Sequence, residues 1–279
     1  MPSPWACPVP WQPIGSVSAE PDPAVDYQEK KQFYARFITV YGRNPVLEAL
    51  RDAQLSVHRL HLAKSNRPDG VVAELLALAQ ARGVDVRHHS REELARISKN
   101  GRQDQGVAAD VDCPRHADYR DLPLSGAPPL QLLALDRVTN PQNLGMIVRT
   151  VCASPLAGLL LPRQGCAPLS PLVIKASAGT LFRCPLWRCD RLTDALAELA
   201  ARGVEIVALA ADAPTDLCAY RPMGSVVYVL GNETDGVSPA VSALAQRRVR
   251  IPMANGVESL NVAVTAALIA FRSLLATPA

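Results

Sequence analysis

The residue types best suited to chemistry fall in two loops near the end of the 279-residue chain. Asn232 and Glu233 follow the apolar run SVVYVLG (225–231), and Ser259 and Asn261 follow RVRIPM (248–253). Together they offer a carboxylate, two amides, a hydroxyl and several free backbone groups, a set that can hold a polar small molecule. Both loops leave β-rich runs, so they should meet at one sheet edge, beyond the strand carboxyl ends, where open α/β sheets bind ligands. An arginine, Arg149, adds a fixed positive charge one helical turn after Gly145.

Other chemistries are disfavoured. The chain has neither G-x-G-x-x-G nor G-x-x-x-x-G-K-[ST], which argues against a phosphate-cradling loop. No histidine lies beyond residue 130 to serve as the base of a Ser/His/Asp hydrolase. A pocket of amides, backbone groups and one glutamate suits an uncharged or cationic ligand better than a polyphosphate.

The elements that must position these groups alternate strand and helix. LQLLALD (130–136) reads as a buried strand, RVTNPQN as a loop and LGMIVRTVCAS as a helix, with Gly145 at the strand-to-helix turn. AGLLLP is a strand, Ser170-Pro171 start a helix through LVIKASAG, and LFRCPLWRC reads as extended. TDALAELAARG is a helix, VEIVALAAD a strand, and a helix near Ser238-Pro239 joins the last two strands before a long helix begins near Asn261. This alternation implies an α/β fold with a mostly parallel sheet covered on both faces.

Residues 33–112 read as a separate α/β/α unit. Asn44 before Pro45 is the expected cap of its first helix, Asp69 caps a second that stops at Gly83, and Ser90 with Glu93 forms a capping box. Its basic residues are densest from Arg87 to Arg102, a run that composition alone assigns to a solvated helix face. Residues 1–32 form a Pro-rich tail expected to be disordered, 113–129 a linker, and 130–279 the second domain. The net charge of +3 permits a nucleic-acid partner without indicating one. Seven scattered cysteines without C-x-x-C read as reduced thiols, not metal ligands or disulfides, and no run fits a membrane span or signal peptide, so a cytoplasmic protein is expected.

NPQNLGMIVRT (140–150), VLGNETDGVS (229–238) and IPMANGVESLNVAVTAAL (251–268) resemble, in order and spacing, the three motifs of the SpoU (TrmH-like) RNA ribose 2'-O-methyltransferases of the SPOUT class. SPLVIKASAGTLFR (170–183) is similar to the same family. YGRNPVLEAL and DQGVAADV resemble the ends of its small ribosomal-protein-like substrate-binding domain. The resemblance implies a C-terminal SPOUT domain with a deep trefoil knot, a homodimer, an RNA partner, most plausibly ribosomal RNA, and S-adenosyl-L-methionine (AdoMet) as cofactor. It implies that Leu209, Gly231, Ile251, Met253 and Leu260 hold AdoMet, with Gly231 kept clear of a side chain that would obstruct it. It assigns catalysis to Arg149, with Asn143, Glu233, Ser259 and Asn261 positioning the reacting groups. Arginine stays protonated in water and is therefore a poor general base, so orientation and electrostatic stabilisation fit that assignment as well as proton abstraction. Taken alone, Glu233 also reads as a carboxylate near a helix start and Asn261 as an N-cap. Two departures stand out: Pro155 follows the motif-one helix where glycine is frequent, and Asp104 replaces the usual histidine before Gln-Gly-Val. A transfer-RNA methylase, a resistance methylase, or a silent RNA-binding scaffold of the same fold are the alternatives.

Overall fold

The computed structural model describes residues 37–275 apart from 54, 113–115 and 126–127; the expected tail lies outside these. Two compact units divide the described residues: one holds residues up to Asp112 together with Leu169–Pro171, the other holds the rest from His116 onward.

In the first unit, β1 (Phe37–Tyr41), β2 (Ser56–Ala63), β3 (Asp85–His89) and β4 (Val107–Asp112) form a sheet in the order β1-β4-β2-β3. The β2–β3 pair is parallel and the other two are antiparallel. Helices α1 (Arg43–Arg51), α2 (Gly70–Ala81) and α3 (Arg91–Ser98) complete the unit. Strand β1, absent from the sequence reading, alternates half-buried positions with buried Ile38 and Val40. The Ser90–Glu93 box forms as expected: Ser90 Oγ accepts from the Glu93 N–H at 3.2 Å, and Glu93 Oε2 accepts from the Ser90 N–H at 2.8 Å. Asn44 does not cap α1. That helix starts at Arg43, two residues before Pro45, after Gly42, whose φ of 95° and N–H bond to the Val107 carbonyl at 2.9 Å turn the chain off the sheet. Asp69 precedes α2 but makes no side-chain cap bond.

In the second unit, β5 (His116–Asp118), β6 (Gln131–Leu135), β7 (Gly158–Pro162), β8 (Leu186–Cys189), β9 (Glu205–Leu209), β10 (Thr215–Asp216), β11 (Val226–Leu230) and β12 (Arg247–Arg250) make an eight-stranded sheet. Its order is β10-β12-β9-β11-β6-β7-β8-β5, and every adjacent pair is parallel. All residues of β7 and β11 are buried, as a sheet covered on both faces requires. Helices α4 (Pro141–Cys152), α5 (Pro171–Ala176), α6 (Leu192–Ala201), α7 (Pro239–Ser242) and α8 (Val262–Leu275) surround it. On one face α6 buries Ala195, Leu196 and Leu199 against Leu132, Leu160 and Val227; α4 packs on α8.

Four local expectations give way. His116–Asp118, inside the stretch read as linker, is an edge strand. LFRCPLWRC is extended only from Leu186, because Thr180–Phe182 closes a 3-10 turn behind Gly179 at φ 75°. Helix α4 begins at Pro141, with the Asn140 side chain accepting from the Gln142 and Asn143 N–H groups. Gly145 therefore lies inside a helix, where an added Cβ would sit 2.4 Å from Ala176 Cβ: the close approach is helix against helix.

Candidate active site at the carboxyl edge of the parallel sheet

Strands β9, β11 and β12 all end at one edge, above a cavity of about 550 Å³. It is lined by Leu209, Gly231, Glu233, Ile251, Met253, Ser259 and Leu260 among others, so seven of the ten expected site residues share one wall system. Ile251 and Met253 stand beyond the end of β12, not in the strand expected there.

The turn after β11 is built by its own side chains. Asn232 Oδ1 accepts from the Thr234 and Asp235 N–H groups at 3.1 and 2.6 Å, and the Gly236 N–H returns to the Asn232 carbonyl at 3.1 Å. A Cβ on Gly231 would lie 1.9 Å from the Gly236 carbonyl carbon. The turn itself therefore needs the glycine, in addition to the clearance for a cofactor expected there. Asp136, at the end of β6, accepts from the Ser238 N–H at 2.6 Å and so fills the helix-start role considered for Glu233. Arg137 reaches Asp235 at 3.4 Å and the Gly236 carbonyl at 3.3 Å. Asp136 and Arg137 were missed in the sequence, although a charged pair directly after a buried strand marks this edge.

Asn143 joins three parts of the chain. It is 6% exposed; its Nδ2 donates to Glu233 Oε1, and its Oδ1 accepts from Asn261 Nδ2 at 3.2 Å. Asn261 Oδ1 also accepts from the Ala263 N–H at 2.8 Å, so it caps α8 and holds Asn143 together. The buried amide thus orients the carboxylate at the cavity rim and ties it to the start of α8. Arg149 stands apart. It is exposed in the last turn of α4, does not line the cavity, and among the described residues its guanidinium has no hydrogen-bond or ion-pair partner. Pro155 lies beyond the end of α4 and leaves that turn intact. Beside Arg149 the packed α4–α8 pair exposes Met146, Val264 and Leu268, at 42%, 49% and 39%.

Around the cavity, Arg248 pairs with Asp212 and Arg250 with Asp216 at 2.7 Å, while Glu233, Asp235 and Glu258 add carboxylates. The acids balance or outnumber the free cations, so the cavity favours a neutral or positively charged guest and disfavours a polyphosphate. A sulfonium-bearing nucleoside fits that donor set and volume.

A parallel α/β unit with an acid-rimmed cavity at its strand ends, attached to a small mixed sheet, has the build of a ligand-binding catalytic domain with a second module. Residues 131–271 match the SpoU rRNA Methylase family, and residues 39–117 match the RNA 2'-O ribose methyltransferase substrate binding family. An uncharacterized tRNA/rRNA methyltransferase of Mycolicibacterium vanbaalenii is 37% identical over 233 residues, covering 82% of this chain and 74% of the relative. An AdoMet-bound rRNA methyltransferase from Sinorhizobium meliloti is 26% identical with a TM-score of 0.60, covering 88% of this chain and 90% of that one. The SpoU methyltransferase AviRb of Streptomyces viridochromogenes, at 24% identity and a TM-score of 0.60 over 88% of this chain and 92% of its own, shares the fold. The chain belongs to the SpoU family of RNA methyltransferases. Among the described residues no helix is long and apolar enough to cross a membrane.

Proposed function

We propose that the protein transfers the methyl group of AdoMet to a ribose 2'-hydroxyl of RNA, and that the RNA is ribosomal. The observation that carries this reading is the Asn143 bridge, which fixes Glu233 and Asn261 at the rim of the cavity. When bound, AdoMet supplies an electrophilic methyl on a sulfonium. Leu209, Gly231, Ile251, Met253 and Leu260 would hold it, through backbone groups and apolar walls. Glu233 and Ser259 face the cavity where a sugar and the cationic centre need polar neighbours.

Arg149 acts by orienting the ribose and its phosphate and by stabilising the developing alkoxide, because a guanidinium holds its proton too firmly to be an efficient base. Its exposure, away from the cavity of its own chain, supports a homodimer in which the Met146, Val264 and Leu268 strip is covered and Arg149 meets the site of the partner. The trefoil knot implied by the resemblance belongs to the same proposal. Ribosomal RNA is favoured by the separate first unit and by the rRNA methyltransferase name of the Sinorhizobium relative.

The test is methyl transfer from labelled AdoMet to total RNA lacking this modification, with the product nucleoside identified by mass spectrometry. A 2'-O-methylated nucleotide in ribosomal RNA is expected; the same product in transfer RNA moves the substrate, and neither transfer nor AdoMet binding leaves a silent scaffold. Arg149→Ala should lower turnover at least about a hundredfold while changing AdoMet affinity less than about threefold. Normal turnover in that variant removes Arg149 from the mechanism.

A further inference from the structure

The cations of the first unit sort into two kinds. Arg51 pairs with Glu74 at 2.5 Å, and Arg59 and Arg87 both meet Asp85 at 2.9 Å. Arg82 is spent on the carbonyls of Ala49, Leu50, Asp52 and Leu55. By contrast Arg43, Lys64, Arg67, Arg91, Arg96, Lys99 and Arg102 form no ion pair among the described residues, and all but Arg43 are exposed; Arg96 stands in the last turn of α3, while the other six lie in or directly flank the loops between elements.

These six converge on one edge of the four-stranded sheet. The Gly42 N–H bonds the Val107 carbonyl, the Ala63 N–H the Gly106 carbonyl and the Lys64 N–H the His89 carbonyl, each at 2.9 Å, which brings four loops together. Side chains stitch the same loops: Asn66 Nδ2 donates to the Gly106 carbonyl at 2.7 Å, Arg91 Nε to Ser65 Oγ at 3.2 Å, and the Arg43 N–H to Gln105 Oε1 at 3.1 Å. Arg43 Nε is buried there without a hydrogen-bond partner, an uncompensated donor on a fixed charge. The nearby acids are mostly engaged or separate. Asp104, 2% exposed, accepts from Ser98 Oγ and the Gly106 N–H at 2.8 and 2.9 Å, and Glu93 serves the α3 cap; Asp69 and Glu92 remain.

From this we infer that the loop edge carrying Arg43, Lys64, Arg67, Arg91, Lys99 and Arg102 is the surface on which the first unit grips the phosphate backbone of a folded RNA. Six cations kept apart from carboxylates on rigid loops are arranged for phosphates, which supply the missing charge. Among the described residues this edge holds no Phe or Trp: Tyr41 is half-buried against Ala63, Leu94 and Ala108, its hydroxyl accepting from Asn100 Nδ2 at 3.1 Å, and the exposed His88 at the end of β3 is the one ring open to solvent. A single exposed imidazole is a poor platform for a run of unstacked bases, so the edge reads backbone and shape, as duplex stems are read, and not single strands. Asp104, the departure from the family pattern, builds the loop that presents Lys99 and Arg102 instead of touching RNA.

The inference rests on the family's RNA substrate but needs neither AdoMet nor the 2'-hydroxyl. Its test uses the full chain, a labelled stem-loop of ribosomal RNA and an unstructured oligouridine, titrated by anisotropy at several salt concentrations. Arg43→Gln/Lys64→Gln/Arg102→Gln should weaken stem-loop binding by about tenfold to a hundredfold and reduce the salt slope by about two to three. Arg51→Gln/Arg87→Gln, which removes two paired cations of the same unit, should change it less than about twofold. Thermal unfolding checks that both variants fold, and calorimetry with AdoMet separates the two readings: a chain that binds the stem-loop through this edge but never AdoMet sinks the proposed reaction alone. Equal losses in the two variants, an unchanged triple variant, equal affinity for oligouridine, or a wild-type chain that binds neither RNA would each overturn the inference.

Discussion

His61 and His116 are both buried, at 5% and 4% exposure, one in each sheet, and their surroundings differ sharply. In the mixed sheet a polar seam crosses all four strands. Thr39 Oγ1 donates to Asp110 Oδ1 at 2.8 Å, Asp110 Oδ2 faces His61 Nε2 at 3.0 Å, and His61 Nδ1 faces His89 Nε2 at 3.0 Å. Burial raises the Asp110 carboxyl, but His61, Thr39 and Arg59 outweigh it and hold its pKa below the usual range. His116 has only the Leu181 carbonyl, 3.0 Å from its Nε2, and burial pushes its pKa down to about 3. The mixed sheet tolerates linked polar groups across its middle, whereas the parallel sheet tolerates them mainly at its ends. Polar function in the second unit is therefore concentrated at the strand carboxyl edge, where Asp136, Asn143, Glu233 and Asn261 gather.

The strongest way to break that contrast is at the edge itself. Gly231→Ala places a methyl against the Gly236 backbone and should cost about 3 kcal/mol or more, with loss of AdoMet binding, read by thermal unfolding and calorimetry. An alanine variant that keeps both would show that the turn can open freely.

A smaller effect tests the lone histidine. With its folded pKa near 3 and an unfolded value near 6.5, His116 gives the unfolded chain the extra proton between those values. Its contribution to stability is whole above about pH 6.5 and declines as pH falls, by about 1.4 kcal/mol per pH unit, roughly 2 kcal/mol by pH 5. His89, whose pKa burial and the charge of His61 lower, acts in the same direction from the other unit. His116→Gln should flatten the acid branch of a stability-against-pH curve; an unchanged branch would assign it elsewhere.

The smallest of the three concerns the seam. Asp110→Asn removes one acceptor and the charge from a linked row, and should cost about 1 kcal/mol in urea unfolding without changing AdoMet affinity. A neutral result would make the seam decorative.

One sequence pattern, Asn-Pro, shows what was legible and what was not. Both Asn44-Pro45 and Asn140-Pro141 satisfy the rules for a helix start. At 140 the rule holds, and the loop expected through Asn143 is helix; at 44 it fails, because Gly42 and a backbone bond to Val107 already end the strand. Strand identities in the second unit came through because long apolar runs allow one reading. The cavity wall came from the family resemblance: Leu209 ends β9, Gly231 follows β11, and Ile251, Met253 and Leu260 lie beyond β12, three strands that end at one edge. The Asn143 bridge, the service of Asp136 to the turn, and the solitary position of Arg149 depend on which distant loops meet, and no local pattern carries that.

The Asn143 bridge also constrains the order of folding. Its partners lie 90 and 118 residues downstream, so the rim of the cavity closes over two of the longest loops in the unit. The β6–β11 pairing closes a comparable span and meets most of that closure entropy, so the bridge can form only with it or after it. During refolding, secondary structure and core burial should precede the recovery of ligand binding by a distinct slow phase. Competence is thus expected to be the last property this chain acquires.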